Sequence, residues 1–102
     1  MRDVRTADMF TRQPLESEIK AGIKQYLRLK GWFVIHNLAG LGSYPGIADI
    51  TAIKGGRVIQ IEAKRTKGFQ SDMQKDFEKQ WEAHGGEYKV IRSVQDLIDA
   101  GL

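Results

Sequence analysis

Three residues in one short stretch have the types and spacing to gather charge around a cation: Asp49, Glu62 and Lys64, in ADITAIKGGRVIQIEAK at residues 48–64. Apolar side chains alternate on both sides of Gly55-Gly56, which predicts two β-strands joined by a tight glycine turn. With the glycines as the loop, Lys54 faces Arg57, and counting back along both strands sets Asp49 opposite Glu62. Period-two alternation then sorts the faces. Ala48, Ile50, Ala52, Ile59, Ile61 and Ala63 share an apolar face that should be core. Asp49, Thr51, Gln60, Glu62 and Lys64 share the other. Two carboxylates directly opposite one another repel and destabilise a hairpin. Lys64, one step from Glu62, offsets only part of that charge. A divalent cation between the carboxylates is the better answer, and hard oxygen ligands suit Mg²⁺ or Mn²⁺. The alternative for the trio is a surface salt-bridge cluster.

The flanking segments must position that pair. Residues 14–30 read as an amphipathic helix, with Leu15, Ile19, Ile23, Tyr26 and Leu27 at helical spacing. Pro14 suits a first turn and Gly31 a stop. Glu16 falls at the edge of the apolar stripe, and Glu18 points more to the side. An inward carboxylate wants a cation or a donor, although both residues also suit a helix N-terminus as acids. Residues 32–38, WFVIHNL, read as a strand ending at His36 and Asn37. His36 is open to two readings, a structural residue or one that contacts phosphate or positions water. The glycine-rich loop at 39–46 leads into Asp49 and allows close backbone approach to phosphate. It lacks the Gly-Lys-Ser/Thr of a nucleotide-triphosphate loop. Ser43 and Tyr44 within it are either DNA contacts or plain connection. Arg65 and Lys67, just past the second strand, are placed for a phosphate backbone or form a solvated turn.

A second helix is expected over 71–84, with Ser71 as N-cap and Gln74 as its capping-box partner. Met73, Phe77, Trp81 and Gln80 form its inward face, and Gly85-Gly86 ends it. A last strand at 87–92 and a short helix at 94–100, capped by Ser93, complete the order α-β-β-β-α-β-α.

The run Pro45-Gly46-Ile47-Ala48-Asp49, with Glu62-Ala63-Lys64 after it, resembles the PD-(D/E)XK nuclease superfamily. Here Ala48, not proline, stands immediately before the aspartate. Glu16 on an upstream helix and Ser71-x-x-Gln74 on a downstream one narrow the resemblance to the VRR-NUC branch, in its small stand-alone viral or bacterial form. The resemblance spans residues 16–94. It implies an α/β fold with a restriction-endonuclease-like core, a small mixed sheet flanked by helices. It also implies a metal-dependent nuclease with Asp49, Glu62, Lys64, Glu16 and Gln74 at the active site. Asp49, Glu62 and the Ala63 backbone carbonyl would hold the metal, with Glu16, in preference to Glu18, joining directly or through water. Gln74 is then either an active-site residue or a helix cap, and the two roles are compatible. Lys64 would orient or deprotonate the attacking water; as a base it needs its pKa lowered by burial or by the cation.

By the same analogy the expected partner is branched DNA, the leading substrate a four-way (Holliday) junction, and the working unit a homodimer with two sites about a two-fold axis. The rivals are a flap-directed, nick-directed or restriction-like nuclease, a non-catalytic DNA-binding module, and action on RNA. Composition is compatible with all of these. The chain has 102 residues, a net charge of +3 and no cysteine. That excludes a disulfide framework or a thiolate zinc site and fits a reducing cytoplasm, which the resemblance implies is that of a bacterial or virus-infected cell. No apolar run approaches the roughly 18 residues of a membrane span, and the first residues lack a signal peptide's apolar stretch. Residues 1–13 read as a flexible arm, with Arg2, Arg5 and Arg12 available to phosphate or simply solvated, and residues 14–102 as one nuclease domain.

Overall fold

The computed structural model describes residues 13–102; the arginines of the N-terminal arm lie outside the described residues. The elements follow the expected order: α1 (Glu16–Leu29), β1 (Phe33–His36), β2 (Ile50–Lys54), β3 (Arg57–Ala63), α2 (Asp72–Ala83), β4 (Glu87–Ile91) and α3 (Val94–Asp99). The four strands form one mixed sheet in the order β1-β2-β3-β4. β1 and β3 flank β2 antiparallel, and β4 runs parallel to β3. Adjacent parallel strands need a crossover, and α2 supplies it.

The hairpin register is the one that the glycine turn dictates. Lys54 pairs with Arg57 and Ile50 with Ile61. Gly55 and Gly56 take φ of 56° and 82°, the two positive values that a two-residue turn matching strand twist requires. Ile50, Ala52, Ile59, Ile61 and Ala63 are wholly buried. They pack with Ile19, Ile23 and Leu27 of α1, which recur every fourth residue on one helix face, and with Trp32, Ile91, Leu97 and Leu102. α1 stops where Gly31 turns left-handed at φ 87°.

Ala48 is buried as expected but on the other side. It joins Phe77 and Tyr88 in a second, smaller cluster beneath α2, with Ile47, Trp81 and Val90 packed around it. It precedes the first paired residue of β2, so strand alternation does not govern it. The loop that carries it presses Gly46 against the start of α2. A Cβ at Gly46 would lie 2.0 Å from the Met73 carbonyl oxygen, and the residue has φ 78°. On α2 itself Phe77 is buried and Trp81 half-buried, whereas Met73 and Gln80 are exposed, contrary to the inward face expected for them. α2 packs against the sheet through its Phe77 and Trp81 turns, so its first turn projects beyond the apolar contact.

Candidate active site

Three elements converge on one cluster. Asp49 stands immediately before β2, Glu62 near the end of β3, and Glu16 at the first position of α1. One carboxylate oxygen from each lies within 4.8 Å of the other two. The structure therefore brings together the two hairpin carboxylates and Glu16, and Glu18 is not in that group. The Glu18 carboxylate turns back to accept the Leu15 N–H at 3.1 Å, as a helix-start acid does.

The partners of each carboxylate differ. Asp49 Oδ2 accepts the Ala63 N–H at 2.8 Å, and Oδ1 lies 3.2 Å from Lys20 Nζ. Glu62 is wholly buried. Its Oε1 accepts Gln74 Nε2–H at 3.0 Å and lies 3.6 Å from Lys64 Nζ. Its Oε2 is buried with no hydrogen-bond partner. Lys64 Nζ is also 4.0 Å from Glu16 Oε1, and its side chain is only 11% exposed. Burial, and next the hydrogen bond and negative charge shared with Asp49, push the Glu62 carboxyl up to about 8; Lys64 acts in the opposite direction and Glu16 adds slightly to the rise.

This charge balance tests whether a cation fits. Three carboxylates face two ammonium groups, so the fully ionised cluster carries one surplus negative charge in a buried place. Without an ion, a proton held on Glu62 removes that surplus and spares a buried carboxylate its desolvation, the largest cause of its raised pKa. A divalent cation could take the place of that proton, which Glu62 otherwise shares with Asp49, and give the ionised Oε2 a partner. The donor set, all hard oxygen, suits Mg²⁺ or Mn²⁺. The residues fit the ion.

Gln74 caps its helix and reaches Glu62 at the same time. Its Oε1 accepts the Ser71 N–H at 2.9 Å, its own N–H donates to Ser71 Oγ at 3.2 Å, and its Nε2 reaches Glu62. The cap fixes the side chain that then supports the carboxylate. Lys20 escaped the sequence reading. It lies one turn beyond Glu16 on the same helix face, and that i, i+4 spacing was the available signal.

Of the residues expected to touch nucleic acid, Arg65 and Lys67 share a cleft with Glu16, and Ser43 and Tyr44 lie on the 39–46 loop. Arg65 and Lys67 are exposed and line, with Glu16, Thr66 and Gly68, an open cleft of ≈ 520 Å³. Arg92 holds that loop in shape: its Nη1 donates to the carbonyls of Arg65 and Gly68. Ser43 donates its hydroxyl to the Gly40 carbonyl at 2.7 Å. Tyr44 is 56% exposed and meets Phe77 edge-on at 5.7 Å. His36 is exposed, with Nδ1 3.5 Å from Lys24 Nζ, and is not among the clustered acids.

Among the described residues, no helix is long and apolar enough to cross a membrane. No family model matches the chain, and no curated protein matches it. A solved structure entitled "VRR_NUC domain" does, with a TM-score of 0.72 over 82% of this chain and 90% of that one, at 16% sequence identity. At that identity the likeness shows the fold, a restriction-endonuclease-like mixed sheet with flanking helices. It is the fold of the family that Asp49, Glu62-Ala63-Lys64, Glu16 and Gln74 resemble.

Proposed function

We propose that this chain is a divalent-metal-dependent DNA endonuclease of the VRR-NUC kind, hydrolysing phosphodiester bonds at the Glu16–Asp49–Glu62 cluster. One observation carries the reading. A wholly buried carboxylate, Glu62, keeps one oxygen without a partner while it faces two further carboxylates. Such an arrangement costs stability, and a bound cation gives it a purpose. Asp49, Glu62 and the Ala63 backbone carbonyl would hold Mg²⁺ or Mn²⁺, with Glu16 at the more exposed edge. When bound, the ion supplies polarisation of the phosphate and a lowered pKa for water.

The rest falls to the chain's own residues. Lys64, between Glu16 and Glu62 and little exposed, orients the attacking water or takes its proton, and it offsets the charge that develops on the phosphate oxygens. Lys20 holds Asp49 in place through Oδ1. Gln74 fixes Glu62 through Oε1. Arg65 and Lys67 bind the flanking phosphates, and Ser43 and Tyr44 contact the DNA from the 39–46 loop. The proposed substrate is branched DNA, with the four-way junction first, and the proposed working unit a homodimer. A two-fold axis would present two sites to two strands of opposite polarity.

The test is cleavage of labelled four-way junction, flap and plain duplex DNA by the wild type, Asp49→Ala and Lys64→Ala, in Mg²⁺, in Mn²⁺ and in chelator. The expected result is metal-dependent cutting that favours the junction and falls by about 100-fold or more in both variants. Equal cutting of all three substrates would remove the junction reading and keep the nuclease. Absence of cutting under every condition would leave a DNA-binding module.

A further inference from the structure

A second set of residues on the same sheet face has no part in holding the metal. Gln60 precedes Glu62 by two positions on β3, so the two side chains leave the same face, roughly 7 Å apart along the strand. Gln60 is only 3% exposed. Its Nε2 donates to Thr51 Oγ1 at 2.8 Å. That hydroxyl also accepts Asn37 Nδ2–H at 2.8 Å, and the same Asn37 amide donates to the Ala48 carbonyl at 3.0 Å. The chain from Asn37 to Thr51 to Gln60 orients the Gln60 amide and leaves Oε1 buried with no partner. An acceptor left unmade in a core is costly.

Gln60 lines a cleft of ≈ 450 Å³ between the 39–47 loop and α2. The other walls include Tyr44, Ile47, Phe77 and Trp81. Phe77 and Trp81 stack at 5.9 Å with 19° between their planes, and Tyr44 stands edge-on to Phe77. A cleft with aromatic side chains and one unspent acceptor among its lining residues is complementary to a planar heterocycle that carries an N–H donor. Oε1 has almost no surface open to water, so a donor reaches it from the cleft only as the exposed Tyr44 wall gives way.

We infer that this cleft receives one unpaired nucleobase beside the phosphodiester held at Glu62, its Watson–Crick N–H edge donating to Gln60 Oε1; this rests on the nuclease reading above. Every DNA base has an N–H on that edge, and pairing occupies it in duplex. An acceptor here therefore distinguishes unpaired from paired bases without choosing among the four, and the aromatic walls are equally tolerant of sequence. Selectivity for branched or distorted DNA then originates within a single chain, beside the metal site.

The experiment separates base capture from catalysis. Trp32→Phe leaves Trp81 as the only tryptophan, and Asp49→Ala added to it prevents cutting. Hairpin DNA with one unpaired thymidine is titrated against the same DNA with an abasic site, and against one with difluorotoluene, which has thymine's shape but no N–H. Thymidine is expected to quench Trp81 and to bind about 5-fold or more tighter than the abasic DNA. Gln60→Leu should abolish the difference between thymidine and difluorotoluene, with its unfolding transition checked in parallel. Tyr44→Ala, at an exposed wall, should weaken binding of the unpaired base, and Tyr44→Phe should restore it. Equal affinity for thymidine and abasic DNA with no Trp81 quenching overturns the cleft assignment, and metal-dependent cleavage by the wild type would still stand. Base-dependent quenching in a protein that cuts no DNA supports the cleft and overturns the nuclease reading.

Discussion

The two faces of the β2–β3 hairpin are both buried, and they are buried for opposite reasons. On one, Ile50, Ala52, Ile59, Ile61 and Ala63 lose all solvent contact against α1 and α3. Burying each large side chain there contributes roughly 1.5–3 kcal/mol. On the other, Gln60 and Glu62 are almost equally inaccessible beneath α2, yet each keeps one polar atom without a partner. Burial on the first face is an energetic gain. Burial on the second is an energetic cost borne within 102 residues, a size at which total stability is commonly about 5–15 kcal/mol. The lesson is that exposure alone does not separate core from site in so small a domain. Unmet hydrogen-bonding capacity does.

The largest test of this contrast is Glu62→Gln, because it should move stability and activity in opposite directions. The folded pKa of Glu62, about 8, lies above the roughly 4.3 of an unfolded glutamate. Between those values the folded protein keeps a proton that the unfolded chain has released. Metal-free stability is therefore complete below about pH 4.3, falls as pH rises through that window, and is lowest above about pH 8. The fall should amount to a few kcal/mol. Glu62→Gln should flatten this dependence and stabilise the metal-free protein at pH 8, while cleavage drops by about 100-fold or more. Denaturant unfolding from pH 4 to 9 reads the first effect. In the wild type, Mg²⁺ or Mn²⁺ should raise Tm more at pH 8 than at pH 5, since the ion competes with the proton. A flat stability profile would mean that Glu62 is ionised and adequately paired, and the contrast between the faces would disappear.

Ile59→Ala tests the opposite face. It should cost about 2–5 kcal/mol by urea unfolding and leave metal affinity of the folded protein unchanged. A change in affinity would show that the two faces are mechanically coupled. The smallest effects should come from the α2 cap. Ser71→Ala removes one capping acceptor and should cost about 1 kcal/mol with little change in cleavage. Gln74→Ala should cost about as much stability and, unlike Ser71→Ala, lower the cleavage rate, because only Gln74 also reaches Glu62.

The hairpin half of the site is legible in sequence because its rules are local. A glycine pair sets the turn, period two sets the faces, and Asp49 meets Glu62 by counting. Glu16 is legible from its place relative to an apolar stripe, whereas Gln74 is legible from its own spacing only as a cap, and its approach to Glu62 is expected from the family resemblance alone. What eludes such reading is tertiary. Lys20 reaches Asp49 only because α1 lies across the strand ends, although its spacing from Glu16 hints at it. The burial of Gln60 and the orphaned Oε1 depend on α2 closing over the sheet, which no periodicity within β3 encodes. Arg92 braces the 65–68 loop through its backbone carbonyls, which carry no side-chain signal. Met73 and Gln80 fit the helical period yet stay exposed, because α2 meets the sheet along a shorter contact than its own apolar pattern allows.

The placement of Glu62 on a strand paired on both sides also has a dynamic consequence. β3 is hydrogen-bonded to β2 along one edge and to β4 along the other, whereas Glu16 opens α1, where the first amides have no intrahelical acceptor. Amide exchange at Glu62 should therefore track global unfolding, and exchange at Glu16 the fraying of a single turn. The cluster combines a stiff wall with a compliant one. The helix end can breathe to admit or release a strand while the sheet keeps its carboxylate in register.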